Sequence, residues 1–514
     1  MFWSRRTFLR ASLLGSTGLL ASGGLDAVLA AIARGPRLRA GGYGPLAPDP
    51  AGLLDLPAGF QYRMFSSGIL DADRAKEARF ASTLGNGDPV PPQHDGMAAF
   101  EGPNGVTILV RNHELNLWDG PHVDARRTRP YDPVTGGGTT TLWVDAERRV
   151  VKSFASLSGT LRNCAGGRTP WNSWLTCEEI TLIPGASDPL NADLDDRVQR
   201  RHGYVFEVDA RATDLVEPIP LKALGRFRHE AVAVDPHTGF AYLTEDRDDG
   251  LLYRFRPDAL AQRKQPSALR VGDYSSGGVL EALRVKSRPG LQAQNHPDAI
   301  AVRLAESLEV DWVRIPEVDP DMDMRKLPAP AGPQPDADTT GHAMGRFAPG
   351  APGRPAPPHE QTASTSTRAQ GFGLGCAQFA RTEGIAFANG SVYFCCTNGG
   401  PHALGQVFRL DLRRQRLSLV VEPDDDALLD GPDNICVAPF GDLVVCEDNL
   451  ARRENFLVGV TARGSCYPLA RNAHAARREF AGACFSPDGR ALFVNVQQPG
   501  MTFAIWGPWD RRRA

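Results

Sequence analysis

The sequence predicts an all-β fold: a six-bladed β-propeller with a long insertion between the third and fourth repeat modules. Three observations carry this. A strand, turn, strand pattern recurs six times; most copies are followed by a further strand-like run; and 53 glycines and 41 prolines in 514 residues call for many turns. A β-sandwich would need fewer strands and no repeat.

At the N-terminus, SRRTFLR sets Arg5 and Arg6 before an apolar run from Ala11 to Leu20, and Val28-Leu29-Ala30 offers a small-residue cleavage site. This is the pattern of a twin-arginine signal over residues 1–30. The apolar run falls short of the roughly 18 residues of a membrane span, so export to the periplasm or beyond is expected, with no stable membrane span. The propeller is expected over residues 50–510, with FQYRMFS, 60–66, as an N-terminal strand that completes the last blade.

The modules follow in order. DGMAAFEGPNGVTILVRNHE starts at Asp95, NCAGGRTPWNSWLTCEE at Asn163, and RHEAVAVDPHTGFAYLTEDRDDG at Arg228. EGIAFANGSVYFCCTNGG starts at Glu383, DNICVAPFGDLVVCEDN at Asp433, and GACFSPDGRALFVNVQQPG at Gly482. Third strands are expected at TTTLWVD (139), HGYVFEVD (202), GLLYRFRP (250), GQVFRLD (405) and FLVGVT (456). Residues 258–378 interrupt the series: an excursion with some ordered structure in its first half, a cap, then a Pro/Ala-rich flexible stretch over 326–368.

The start of a hairpin's first strand lies beside the end of its second. If every first strand lines the channel, module starts and ends converge on one mouth. Those positions are Asp95, Glu114, Asn163-Cys164, Glu178-Glu179, His229-Glu230, Glu245-Asp246, Glu383, Asp433-Asn434 and Glu447-Asp448. Converging carboxylates raise one another's pKa, and multivalent cations are the natural remedy. Oxygen ligands suit calcium, manganese or magnesium, whereas a thiolate at Cys164 would favour a transition metal such as iron.

Other residues are assigned more ordinary parts. His113 and His229 are expected to orient a carboxylate or to hydrogen-bond in the core, Asp488 to form an Asx-turn, and Cys436, Cys446 and Cys484 to be buried free thiols among the nine cysteines. A net charge of −3 makes no electrostatic case for nucleic acid. No HExxH, nucleophile elbow, P-loop or paired CxxC is present, which removes support for zinc-protease, serine-hydrolase and nucleotide-motor functions.

RNHE (111–114), LRNCAGGRTPWNSWLTCEE (161–179), GRFRHEAVAVDPHTGFAYLTEDR (225–247), FARTEGIAF (379–387), DGPDN (430–434), VCEDN (445–449) and FAGACFSPDGRALFVNVQQPGMTFAIWGPW (480–509) together resemble the PhoX alkaline phosphatases. The resemblance implies a propeller with iron and calcium at its centre that hydrolyses small phosphate monoesters by attack of an oxo or hydroxide group on the metals, after passage through the twin-arginine export machinery; a monomer is expected. It implies Cys164 as the iron-bound thiolate and Glu114, Glu178, Glu179, Glu230, Glu245, Glu383, Asp433 and Glu447 as carboxylate ligands, with Arg381 contacting substrate phosphate. Thr382 stands where relatives often have proline. A calcium-dependent lactonase, a phosphodiesterase and a non-catalytic, metal-stabilised propeller are the alternatives; the lactonase gives Cys164 and Arg381 no role.

Overall fold

The computed structural model describes residues 42–68, 81–117, 119–124, 126, 128–185, 198–320, 366–449 and 454–512. The expected export signal, and the Pro/Ala-rich stretch except for its last three residues, lie outside them. Thr367–Gly373, which overlaps the end of that stretch, is a short α-helix. Among the described residues no helix is long and apolar enough to cross a membrane.

The fold is all-β and propeller-like. Six inner strands, His94–Glu101, Asn163–Arg168, His229–Val234, Thr382–Ala388, Pro432–Val437 and Phe480–Phe485, each contact the next, and the last contacts the first, closing a ring. Each pairs with a second strand to form a hairpin, and each of the expected third strands lies outside it: Gly137–Val144, Val205–Asp209, Leu252–Pro257, Gln406–Asp411 and Phe456–Val460. The predicted closing strand is present as Gln61–Ser67, paired with Met501–Trp506 on the outside of the last hairpin.

Six separate sheets are not what forms. Hydrogen bonding yields five, because one nine-stranded sheet runs through both the third and the fourth hairpins. The cause is the insertion. Its first half is no cap: Gly278–Val285 and Ser307–Arg314 extend the third hairpin's sheet, and Ser307, Leu308 and Glu309 then pair with Ser418, Leu417 and Arg416 on the outer strand of the fourth. An outer strand leaves unpaired backbone groups, and two such edges satisfy each other when brought side by side. Leu46–Ala47 and Leu54–Pro57 likewise extend the fifth hairpin's sheet to six strands.

Between consecutive sheets the strands bury apolar side chains. Met97, Leu109 and Leu142 pack on Phe493 and Ala504, and Phe100 and Val110 on Trp174 and Phe206. Strands buried on both faces read as continuous apolar runs, which is why ALFVNV and LVVC carry so little polar character. All nine cysteines are free thiols, with Cys446 buried and Cys436 and Cys484 half-buried.

One local feature repeats in every module. The first ladder pairs are His94 with His113, Asn163 with Glu178, His229 with Glu245, Thr382 with Cys396, Pro432 with Glu447, and Phe480 with Val496. Each is followed within one residue by a shift of register, a bulge. Adjacent bulges approach closely. A Cβ on Gly384 would lie 2.6 Å from the Asp433 carbonyl oxygen, and one on Gly482, at φ +61°, 2.3 Å from that of Asp95, so only glycine allows these contacts.

Candidate metal centre

The first ladder pairs define three equivalent positions per module. Just before each inner strand stand Gln93, Arg162, Arg228, Arg381, Gly431 and Glu479. Their carbonyl oxygens accept from the backbone N–H groups of Glu114, Glu179, Asp246, Thr397, Asp448 and Gln497, at 3.0, 3.0, 3.2, 3.0, 2.8 and 3.3 Å. The third set, one residue into each inner strand, is Asp95, Cys164, Glu230, Glu383, Asp433 and Ala481. Repetition thus gathers acids from distant parts of the chain at one end of the ring.

At its heart, Glu230, Glu383 and Asp433 bring one carboxylate oxygen each to within 4.8 Å of one another. Cys164 lies beside them, its Sγ 3.3 Å from the carbonyl oxygen of His229 and 3.5 Å from that of Glu230. Its bulge is fixed from the preceding module, where Asn112 Nδ2 donates to the Cys164 and Ala165 carbonyls at 2.8 and 2.7 Å. Asn495 does the same for the Asp95 carbonyl, at 2.5 Å. Gln497 Nε2 donates to Glu114 Oε2 at 2.6 Å and to Asp95 Oδ2 at 3.3 Å.

Guanidinium groups edge this acid group. Arg162 Nη2 meets Glu114 Oε1 at 2.9 Å and Glu179 Oε2 at 2.6 Å. Arg381 donates from Nε to Asp246 Oδ1 at 2.8 Å, and from Nη2 to Asp246 Oδ2 at 2.9 Å and Glu383 Oε1 at 2.5 Å. Both arginines hold positive φ, 48° and 50°, a strained backbone for a side-chain-bearing residue and one that concentrates at functional sites.

Nine carboxylates share the end of the ring with three arginines: Asp95, Glu114, Glu179, Glu230, Asp246, Glu383, Asp433, Asp448 and Glu479. Burial, and after it the charges of neighbouring acids, pushes Asp95, Glu230, Glu383 and Glu479 well above the usual carboxylate range. Asp433 rises to about 8 through burial and Asp448. Asp246 moves the other way, since Arg381 outweighs its burial. Burial and nearby Glu230 and Glu179 raise the Cys164 thiol. Asp448 Oδ1 is buried and accepts no hydrogen bond among the described residues. Crowded oxygens, an orphaned carboxylate oxygen and a thiol are a donor set that fits cations, which would relieve the repulsion.

Of the residues predicted from sequence, Cys164, Glu114, Glu179, Glu230, Glu383, Asp433 and Arg381 come together here. Glu178, Glu245 and Glu447 sit in pockets of N–H and O–H donors instead. Glu178 accepts from Leu161, Gly203 and Tyr204 N–H at 3.0, 2.8 and 3.2 Å and from His202 Nδ1 at 2.7 Å. Glu245 accepts from Tyr253 Oη at 2.9 Å and Arg368 Nη1 at 3.2 Å, and Glu447 from Asp430 and Phe456 N–H, both at 3.0 Å. A ligand role for these three would cost those bonds. The residue after each, Glu179, Asp246 or Asp448, joins the acid group.

Sequence reasoning named Asp95, Asp246 and Asp448 at the mouth without making them ligands, and it missed Arg162, Glu479 and Gln497. Their common signal is position: one residue before, or just beyond, a recognisable first ladder pair. Other readings match the geometry. His113 bonds the Pro92 carbonyl and Thr140 Oγ1, both at 2.8 Å, and His229 the Gly225 carbonyl at 2.9 Å. Asp488 Oδ1 accepts from Ser486 Oγ and Arg490 N–H within its turn. Thr382 accepts at Oγ1 from Glu245 N–H at 2.8 Å and donates to the Glu245 carbonyl at 2.9 Å, stitching the third module to the fourth.

Comparison with known proteins agrees with this architecture. The chain is similar over 92% of its length, and 98% of the other chain, to the structure of Pseudomonas fluorescens PhoX in complex with vanadate, a transition-state analogue, at 18% identity and a TM-score of 0.61. Similarity to a gluconolactonase of Xanthomonas campestris covers 91% of this chain and 100% of that one, at 13% identity and a TM-score of 0.33, too loose to bear on function. No curated protein matches. The profile of the family described as alkaline phosphatase PhoX matches residues 41–500, nearly the whole of the folded chain, and so this protein belongs to the PhoX family of alkaline phosphatases.

Proposed function

We propose that the chain is an exported phosphomonoesterase whose metals are iron and calcium and whose Arg381 contacts the substrate phosphoryl group. The observation that carries this is the approach of Glu230, Glu383 and Asp433 to within 4.8 Å of one another, with Arg381 bound to Glu383 at their edge. These three acids, with Asp95 and Cys164 beside them, would hold the cations: carboxylate oxygens for calcium, and the thiol of Cys164 for iron. Cations bound there would supply charge neutralisation and Lewis acidity.

The chain's own residues do the rest. Phosphoryl transfer asks chiefly for positioning and for charge stabilisation on the transferring group. Asp246 and Glu383 fix the plane of the Arg381 guanidinium, whose fork matches phosphoryl oxygens. The acids around it keep the site unattractive to anions until cations are in place. We further read the nine-stranded sheet as two blades fused at their outer edges, which makes six, and Arg5-Arg6 as the address for twin-arginine export to the periplasm.

Elemental analysis of the exported protein, together with assays on p-nitrophenyl phosphate and bis-p-nitrophenyl phosphate, tests the reading. Iron plus calcium and preferential monoester turnover are expected. Calcium alone with lactone turnover would favour a lactonase, and undiminished phosphatase activity in metal-free protein would end the proposal. Cys164→Ser should lose iron.

A further inference from the structure

Arg111, on the second strand of the first module, Thr107–His113, is fully buried. No carboxylate meets its guanidinium among the described residues, and its Nε finds no acceptor there. A buried charge with no opposite charge in contact is costly, so where its hydrogen bonds lead is informative. Nη1 donates to Ser66 Oγ at 3.0 Å and to Thr502 Oγ1 at 2.7 Å, and lies 3.2 Å from Nδ1 of His94, the residue before Asp95. Nη2 donates at 3.1 Å to Thr140 Oγ1, which in turn lies 2.8 Å from Nε2 of His113, the residue before Glu114.

The branch through Thr502 runs on to the acid group. The Thr502 hydroxyl donates to Asn495 Oδ1 at 2.7 Å, and Asn495 Nδ2 donates to the Asp95 carbonyl oxygen at 2.5 Å. Every proton in the series Arg111, Thr502, Asn495, Asp95 thus points the same way, from the cation to the acid's own peptide, and such chains polarise one another. Thr502 and Asn495 are as fully buried as Arg111. Asp95 needs this support because it sits in a bulge, where the ladder no longer sets the plane of the peptide. On its other side Gln497 Nε2 ties Asp95 Oδ2, at 3.3 Å, to Glu114 Oε2, at 2.6 Å.

We propose that Arg111 is a positioning residue of the metal centre: through Thr502 and Asn495 it fixes the Asp95 peptide, and so holds the Asp95 carboxylate beside that of Glu114 as a ligand for calcium. The proposal rests on the reading of the acid group as a metal centre. Groups that orient metal ligands in this way govern affinity without touching the ion.

The test measures calcium affinity of the full chain by competition with a chelator dye, for wild type, Arg111→Met, Thr502→Val, Thr502→Ser and Thr141→Val. Arg111→Met removes the origin of the chain and Thr502→Val its first link; both should bind calcium about tenfold more weakly or worse. Thr502→Ser keeps the hydroxyl and should stay within about twofold of wild type. Thr141 is equally buried in the neighbouring strand, but its Oγ1 has no partner among the described residues, so Thr141→Val should also stay within about twofold. Wild-type affinity in Arg111→Met or Thr502→Val would overturn the proposal, as would a loss in Thr502→Ser or Thr141→Val equal to that in Thr502→Val. If Arg111→Met does not fold, the contrast between Thr502→Val and Thr502→Ser decides alone. Wild-type protein that takes up no calcium would instead sink the metal reading itself, and the proposal with it.

Discussion

Glu178 and its neighbour Glu179 send their carboxylates to different environments: that of Glu178 is filled by three backbone N–H groups and His202, whereas that of Glu179 meets Arg162 at 2.6 Å. The two should therefore fail differently. Glu178→Gln is expected to destabilise the fold by about 3 kcal/mol, because it leaves a buried partner uncompensated, while the folded fraction keeps its metal. Glu179→Gln should lower metal content and activity with the smaller effect on melting. Thermal melts and elemental analysis of both variants decide it, and the reverse pattern would refute the assignment.

His202 links Glu178 and Asp132 at 2.7 and 3.3 Å. Burial opposes its charge, but the two carboxylates outweigh burial and raise its pKa from 6.5 to about 9. A cation with a raised folded pKa stabilises fully below its unfolded value, and that stability is lost as pH rises through the folded one. The stability gap between wild type and His202→Gln should therefore be largest below about pH 6.5 and shrink towards about pH 9. Denaturant titrations at several pH values would show it; a gap independent of pH would contradict the charge.

Removal of metal should reverse the usual benefit of ionised acids. Burial and Asp448 push Asp433 up to about 8, while burial with Asp246 and Glu114, against Arg162, pushes Glu179 up to about 7. For acids with raised folded pKa, stability is complete below the unfolded value near 4 and is lost as pH climbs through the folded one. Chelated protein should therefore melt at steadily lower temperature as pH rises from about 4 to about 7–8 and level off above that, and excess calcium should flatten that slope. A chelated protein equally stable across the range would speak against a crowded acid centre.

Gly384 separates Glu383 from the wall formed by the next module, where an added Cβ would lie 2.6 Å from the Asp433 carbonyl oxygen and 2.7 Å from Asn434 Cα. Gly384→Ala should therefore cost about 1–3 kcal/mol of stability and, by parting Glu383 from Asp433, weaken metal binding by about tenfold or more. Competition with a chelator of known affinity measures the second effect, and unaltered affinity would show that the two acids do not share a cation.

Alone, the amino-acid sequence determined the all-β repeat, the six hairpins, their third strands and the closing strand, expected at 60–66 and found at Gln61–Ser67, because turn residues and apolar runs act locally. It also determined that acids bracket the hairpins. Only the tertiary structure decided which acid of each adjacent pair enters the centre: Glu179 and not Glu178, Asp246 and not Glu245, Asp448 and not Glu447. Side chains alternate faces along a strand, so parity chooses the face. At a strand end beside a bulge, parity is set by pairing across the sheet and by the hydrogen bond to the residue before the next inner strand. The joining of two hairpins into one nine-stranded sheet was equally hidden, since it depends on Ser307–Glu309 finding an open edge more than a hundred residues away.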